Sequence, residues 1–401
     1  MINLSNLVRL SVIKKTKILE INYPVTINIS NIFPHYSLSM WTSFINDIPN
    51  FKIGFDTIDK RDIHLVNSKK EFSLKEQKHF FLVKNIYFLN KHLVYQFFVI
   101  PRILFSSYNV AIFIGDSKVI STWISLIICK IRNKESILWT HGIYGNESKF
   151  KLILRKIFYG LARKLIVYER KGKDGLVNYG FEKNKIHVIF NSLNYKFQLK
   201  ILNKLIEEKP KTEFFKKNDL PYIISTGRLN KRKKIDQLIN IICELNNTDL
   251  RCNLLIVGEG NQKNFLEKLS KKCDDRIHFF GSCYDEELLG QLIYNASICV
   301  IPGDIGLSAI HSLTYGTPVI THNNFKLQGP EHEAIEQGLS GDFYEFQNYD
   351  DLKLKIKNWL EKKRDKKLDI INCRKNIDKY YNPNYQVKVM KKIIEGGEPL
   401  I

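Results

Sequence analysis

The chain has 401 residues, 44% of them hydrophobic, a normal globular composition that allows two or three ordinary domains with a large core. Its formal net charge of +21 points to an anionic partner, and nucleic acid, an acidic bilayer and a phosphorylated ligand all meet that requirement. The seven cysteines are widely spaced and form no CxxC or Cys/His cluster, which reads most simply as a reducing cytosol.

The first residues, MINLSNLVRLSVIKKTKILE, alternate polar and apolar and lack a sustained apolar block, so no secretory signal is expected and Met1 is expected to begin the mature protein. Short β-rich runs then alternate with helical patterns. They are TINIS (26–30), VAIFIG (110–115), SILWT (136–140), KLIVY (164–168) and HVIFN (187–191). That alternation predicts an α/β protein with parallel sheets. The longest apolar stretches, 93–105 and 119–131, fall short of the roughly 18 residues a membrane span needs. A Lys-rich stretch without strand pattern, 196–219, reads as a connector. A second series follows in YIIST, NLLIVG, IHFFG, ICVIPG and PVITH. Two doubly wound domains are implied, with ligands at the carboxyl ends of the strands.

Two segments carry most of the chemistry. STGRLNKRKKIDQLI (225–239) reads as a strand that breaks at Gly227, presents Arg228 and Lys233, and enters a helix. PGDIGLSAIHSLTYGTPVIT (302–321) reads as a glycine-bearing loop, a helix whose first turn is Gly306, Leu307 and Ser308, and a return through Gly316 and Pro318 into a strand. Backbone N–H groups at such a turn attract phosphate, and two fixed cations nearby complete a diphosphate cradle.

GRLNKRKKID, LLIVGEG, HFFG and GLSAIHSLTYGTPVIT occur in the order and spacing of family 4 glycosyltransferases, and the chain resembles that family, of the bacterial surface-polysaccharide type. WTHGIYGNE (139–147), LIVYERKGKDGL and VIFNSLN (188–194) extend the resemblance into the N-terminal half. The resemblance implies a GT-B fold, with two doubly wound Rossmann-like domains facing a cleft. An acceptor-binding domain at 1–204, a donor-binding domain at 205–378 and a terminal helix at 379–401 packing back on the first domain are expected. It further implies a retaining, metal-independent transfer from a nucleotide-sugar donor to a glycan or lipid-linked acceptor, with no cofactor. No Asp-x-Asp metal anchor occurs, in keeping with that expectation.

By the same resemblance Arg228 and Lys233 hold the donor diphosphate and stabilise the leaving group, with Gly227, Gly306, Leu307 and Ser308 beside them. His141 matches the histidine set against the donor sugar, where Glu147 orients it or meets the acceptor. Glu333 matches an acidic residue near the donor, with Glu331 as its competitor. The segment NIFPHYSLSMW (31–41) lies where an acceptor loop is expected, so His35, Tyr36 and Trp41 are acceptor candidates, the core being the alternative for such aromatics. One departure stands out. The family's two glutamates, with seven residues between them, fall on Gly303 and His311, since the frame of Asp304 and Ser312 needs a gap before TYGTPV; Asp304 or backbone amides are left for the donor sugar and His311 for the ribose, unless His311 is a packed helix residue.

The stretch ESKFKLILRKIFYGLARKL (147–165) mixes six cations with seven apolar residues. It reads as an interfacial helix or as a core-facing helix with a basic outer face. With a lipid-linked acceptor, the first option predicts a cytoplasmic protein peripheral on the inner face of the plasma membrane, bound to its anionic surface. A catalytically silent nucleotide-sugar-binding partner is the alternative. A nucleic-acid-binding protein is the third class, and no nucleic acid partner is expected because the charge is dispersed and no such module is present.

Overall fold

The computed structural model describes residues 23–56, 72–89, 93–143, 147–210, 215, 220–248, 250–363 and 365–401. The readings of the first twenty residues lie outside them. The chain divides into two units, 1–189 with 383–401, and 190–382.

The first unit holds a seven-stranded sheet in the order β3-β2-β1-β6-β7-β8-β9, every pair parallel. The strands are β1 (Thr26–Ile32), β2 (Phe51–Asp56), β3 (Phe80–Leu82), β6 (Val110–Ile114), β7 (Glu135–Thr140), β8 (Lys164–Val167) and β9 (Ile186–Val188). The runs of β1, β6, β7 and β8 are buried at nearly every position, as strands covered on both faces must be. A separate antiparallel hairpin pairs β4 (Lys84–Phe88) with β5 (Leu93–Phe97). The helices of this unit are α1 (Leu38–Asp47), α2 (Val99–Phe105), α3 (Ile120–Ile131), α4 (Lys149–Gly160) and α5 (Arg170–Asn178).

The second unit holds a six-stranded parallel sheet, β12-β11-β10-β13-β14-β15. Its strands are β10 (Tyr222–Thr226), β11 (Asn253–Val257), β12 (Ile277–Gly281), β13 (Ile298–Val300), β14 (Val319–His322) and β15 (Gly341–Tyr344). The helices are α6 (Tyr195–Glu208), α7 (Ile235–Leu245), α8 (Lys263–Ser270), α9 (Glu286–Asn295), α10 (Ser308–Thr314), α11 (Tyr349–Glu361) and α12 (Lys366–Lys379). Strand order reverses between β1 and β6 in one sheet and between β10 and β13 in the other. Those are the switch points at which doubly wound sheets take ligands.

Three boundaries differ from the sequence reading. The stretch 196–219 is no connector over its first half: α6 packs on α9, burying Gln198, Ile201, Leu202 and Leu205 at helical spacing, which its many lysines obscure in a pattern count. The division accordingly falls at 189/190 and not at 204/205. The basic helix is shorter than 147–165, because Lys164 already opens β8. The final helix α13 (Pro383–Ile394) belongs to the first unit, where Val387, Met390, Ile393 and Ile394 join its core and the helix packs against α1. Among the described residues no helix is long and apolar enough to cross a membrane. Cys243 and Cys273 are paired as a disulfide, an approach that their separation of 30 residues gave no sign of, and the other five cysteines are not in disulfides.

Trp41 takes the core option. It is 5% exposed and packs edge-on against Phe33, Phe44 and Trp139, with ring centroids 6.1, 5.5 and 5.8 Å away. A ring enclosed in that way has no face for an acceptor, which corrects its assignment as an acceptor residue. Truncating it leaves a large cavity, so Trp41→Ala is expected to cost about 3–5 kcal/mol in denaturant unfolding, whereas a residue at the surface would cost almost nothing.

Candidate functional site

The second unit's site is built where β10 and β13 end side by side. After Thr226 the chain turns at Gly227, which has a φ of +115°. The turn is pinned from the β11 side: the N–H of Gly227 donates to Val257 O and that of Leu229 to Glu259 O. Side chains are excluded there, since a methyl group on Gly258 would lie 1.9 Å from Gly227 O. This explains why the segment GRL needs VGEG beside it.

The chain then forms a short 3-10 turn, Lys231–Lys233, which clasps the loop after β13. The N–H of Gly303 donates to Lys233 O at 3.0 Å and that of Asp304 to Arg232 O at 3.1 Å. The Lys233 ammonium reaches across and donates to the carbonyls of Asp304 (2.8 Å) and Ile305 (3.0 Å). Burial pulls this ammonium below its usual pKa, and Asp304 opposes the shift. Gly227, Gly306 and Ser308 gather around it: methyl groups on the two glycines would each come within 3.8 Å of Lys233 Nζ, and the Ser308 hydroxyl donates to Thr226 O at 3.0 Å. The amide of Ile305 is taken by Gln328 Oε1 at 2.9 Å. Arg228 follows Gly227 on the same turn and is exposed.

Of the residues expected near the donor sugar, Asp304 pairs with Arg232 at 2.6 Å and accepts from the Gly329 N–H at 2.9 Å. Glu331 is the carboxylate beside it. A methyl on Gly329 would lie 2.7 Å from Glu331 Oε2, 3.3 Å from Asp304 Oδ1 and 3.6 Å from the Gly306 Cα. Asn191, in the VIFNSLN turn, donates to Glu331 Oε1 at 2.6 Å. Burial pushes the Glu331 carboxyl above its usual range, against that hydrogen bond. Glu333, two residues on in the same 3-10 turn (Pro330–Ala334), is only partly buried.

Gly303 cannot be anything but glycine. A methyl there would lie 1.8 Å from Arg232 O, so the position that usually carries the first glutamate is closed to any side chain. His311, at the second position, is held by a carboxylate from elsewhere: Glu286 Oε1 accepts from His311 Nε2 (2.8 Å), Tyr315 Oη (2.7 Å) and Gln198 Nε2 (3.0 Å). Burial alone would raise the Glu286 carboxyl, but these donors outweigh it and hold it below its usual value. Neither Glu286 nor Gln328 carries a motif signal. DEELLG reads only as a capped helix start, with Asp285 accepting from Glu287 N and Leu288 N.

In the first unit, His141 follows β7, and its ring lies 4.8 Å from the Tyr168 ring. Glu147 forms an ion pair with Arg155, which also donates to Gly142 O at 3.3 Å. The segment after β1 places His35 at the head of a 3-10 turn (His35–Ser37), and Tyr36 is exposed.

Two outcomes follow from this geometry. Gly303→Ala should lower stability by about 1–3 kcal/mol in thermal or denaturant unfolding, because the clasp must open to admit a Cβ. Because the Glu286 carboxyl is depressed in the folded protein, its contribution is complete above the ordinary value of 4.5 and is lost as pH falls through the lower folded value. Melting temperature should therefore fall more steeply with acid below pH 4.5 in the wild type than in Glu286→Gln.

Residues 206–379 match the family model described as glycosyl transferases group 1. Glycogen synthase of Bacillus cereus is 25% identical over 136 residues, covering 33% of this chain and 28% of its own length. An uncharacterized 41.2 kDa protein in the cps region of Klebsiella pneumoniae is 28% identical over 177 residues, 43% of this chain and 45% of its own. The chain thus spans less than half the length of these curated relatives. Among solved structures, Anabaena HepE in complex with UDP superposes with a TM-score of 0.67 at 13% identity, covering 92% of this chain and 99% of HepE. By fold the chain is a GT-B protein, and its residues 206–379 are similar to the glycosyl transferases group 1 family.

Proposed function

We propose that the protein is a retaining, metal-independent glycosyltransferase that moves a sugar from a nucleotide diphosphate donor to a glycan or lipid-linked acceptor, in the assembly of a bacterial surface polysaccharide. The observation that carries this reading is the Lys233 ammonium, enclosed among the carbonyls of Asp304 and Ile305, the Gly227 turn, Gly306 and Ser308. A buried cation beside a glycine loop is arranged for phosphate, and a diphosphate there would favour the charge on Lys233 that burial opposes. HepE was solved with UDP, which supports a nucleoside diphosphate as ligand class. The Klebsiella relative lies in a cps region, which favours capsule-type assembly as the setting.

In the proposed reaction an acceptor hydroxyl attacks the anomeric carbon from the face that the nucleotide diphosphate leaves. The bond from that carbon to the phosphate oxygen breaks, the bond to the acceptor oxygen forms, and the departing phosphate takes the hydroxyl proton. Arg228 and Lys233 meet the charge that develops on the leaving group, which is where a fixed cation accelerates most. Leu307 and Ser308 would contribute amides to the same phosphates. Glu331 and Asp304, flanking Gly329, are placed to accept from sugar hydroxyls, His311 is assigned to the ribose, and Glu333 to the rim of the donor site. His141, in the first unit, is assigned to the donor sugar, and His35 and Tyr36 to the acceptor. The same reading puts the protein on the cytoplasmic face of the plasma membrane, where a lipid-linked acceptor is presented.

Arg228→Ala and Lys233→Ala should each reduce turnover at least about tenfold, equivalent to about 1.4 kcal/mol of transition-state stabilisation. Calorimetry against UDP-, GDP- and CMP-sugars should show saturable binding of one class that survives chelator. Wild-type turnover in both variants would sink the proposed cradle.

A further inference from the structure

Helix α3 is inside out. Its buried positions are Ser121, Thr122, Ser125, Leu126 and Cys129, whereas Ile120, Ile124, Ile127 and Ile131 are exposed. The isoleucines follow one another by four, three and four residues, which at 3.6 residues per turn makes a single stripe. Ile131 is 79% exposed. An amphipathic helix packed in water turns its hydroxyls out and its isoleucines in, and here the two are exchanged.

The stripe has neighbours of the same kind. Trp123 on α3 packs on Phe158 of α4 with ring centroids 4.7 Å apart, which brings the two helices together at that point. On α4 the buried residues are Phe158 and Tyr159, and Phe150, Ile153 and Ile157 face out. The basic helix thus turns part of its apolar side, Phe158 and Tyr159, to the core, and leaves Phe150, Ile153 and Ile157 on the outside. At the other end Arg132, just after α3, donates to Ile103 O at 2.5 Å and to Ser106 O at 3.5 Å, which ties in the end of α2 with its exposed Leu104 and Phe105. Soluble monomers scatter large apolar side chains singly, and contiguous patches mark a partner.

The charges on the same helices select that partner. Helices α2, α3 and α4 contain Arg102, Lys130, Lys149, Lys151, Arg155 and Lys156 and no aspartate or glutamate. A second copy of a chain with net charge +21 would set these cations against like cations. An anionic bilayer accepts both halves of the surface, the isoleucines and phenylalanines into the acyl boundary and the cations among the headgroups. We propose that α3, flanked by α2 and α4, is an interfacial face that seats the first unit on an anionic membrane. This rests on the proposed use of an acceptor presented at a membrane, and it deepens that reading by naming the surface and placing its centre on α3, outside the basic segment that sequence pattern selects.

The test is sedimentation of the full chain with phosphatidylglycerol-containing vesicles and with vesicles of phosphatidylcholine alone, at low salt, alongside calorimetric binding of nucleotide sugars. The wild type should partition onto the anionic vesicles. Ile127→Glu with Ile131→Glu should reduce that partitioning at least about tenfold, because each change puts an anion where an apolar side chain would enter the acyl boundary. Nucleotide-sugar binding should be unchanged in this variant, and Phe265→Glu, at an exposed apolar position in the second unit, should leave lipid binding unchanged. If the glutamate pair fails to fold, Ile127→Ser with Ile131→Ser replaces it and should still weaken partitioning. The proposal is overturned by a wild type that ignores anionic vesicles, by full lipid binding in the folded variants, or by a lipid-free dimer that the substitutions dissolve. Loss of nucleotide binding with lipid binding intact would instead refute the glycosyltransferase reading and leave this face standing.

Discussion

The second unit's site depends on one ammonium group. Lys233 lies at the end of a 3-10 turn that leaves β10, yet its Nζ is held by the carbonyls of Asp304 and Ile305 on the loop that leaves β13. A single side chain thus ties together the exits of two adjacent parallel strands, and the backbone pairs between Arg232, Lys233, Gly303 and Asp304 reinforce it. Holding a cation in so enclosed a place opposes its charge. The carbonyl dipoles and Asp304 answer part of that cost, and an anion would answer the rest.

The same clasp dictates where carboxylates can stand. With Arg232 O lying where a Cβ of residue 303 would be, no acid fits at that position, and the loop keeps its shape only with glycine. Carboxyl groups stand nearby all the same: Asp304 follows Gly303 in the loop and lies with Glu331 around Gly329, and Glu286 reaches His311 from the first turn of α9.

Much of this was legible from residues alone. The alternation of YIIST, NLLIVG and ICVIPG with helical pattern marks a doubly wound sheet, because buried parallel strands must be apolar on both faces, and GRLNKRKK with GLSAIH marks the two strand exits. Three features were hidden for physical reasons. Lysines on the outer face of α6 made a packed helix read as a connector. Trp41 sits on a segment that sequence places near an acceptor, but helical phase turns its ring inward to Trp139. Glu286 and His311 are 25 residues apart, and only the packing of α9 and α10 within one unit brings them together. The inversion of α3 was in plain sight in ISTWISLIICKI, but a pattern of serines and isoleucines at helical spacing does not say which stripe faces the core.

The route of the chain through its two units has a consequence for how the protein is made. The first unit's core includes Val387, Met390 and Ile393 from a helix that follows all 193 residues of the second unit. On the ribosome the second unit can bury its sheet as soon as its own strands have emerged, whereas the first must wait with the cluster around Trp41, Phe44 and Trp139 incompletely covered. The interval between those events is when this aromatic-rich surface is most open to aggregation, and it ends only once the last helix has been synthesised.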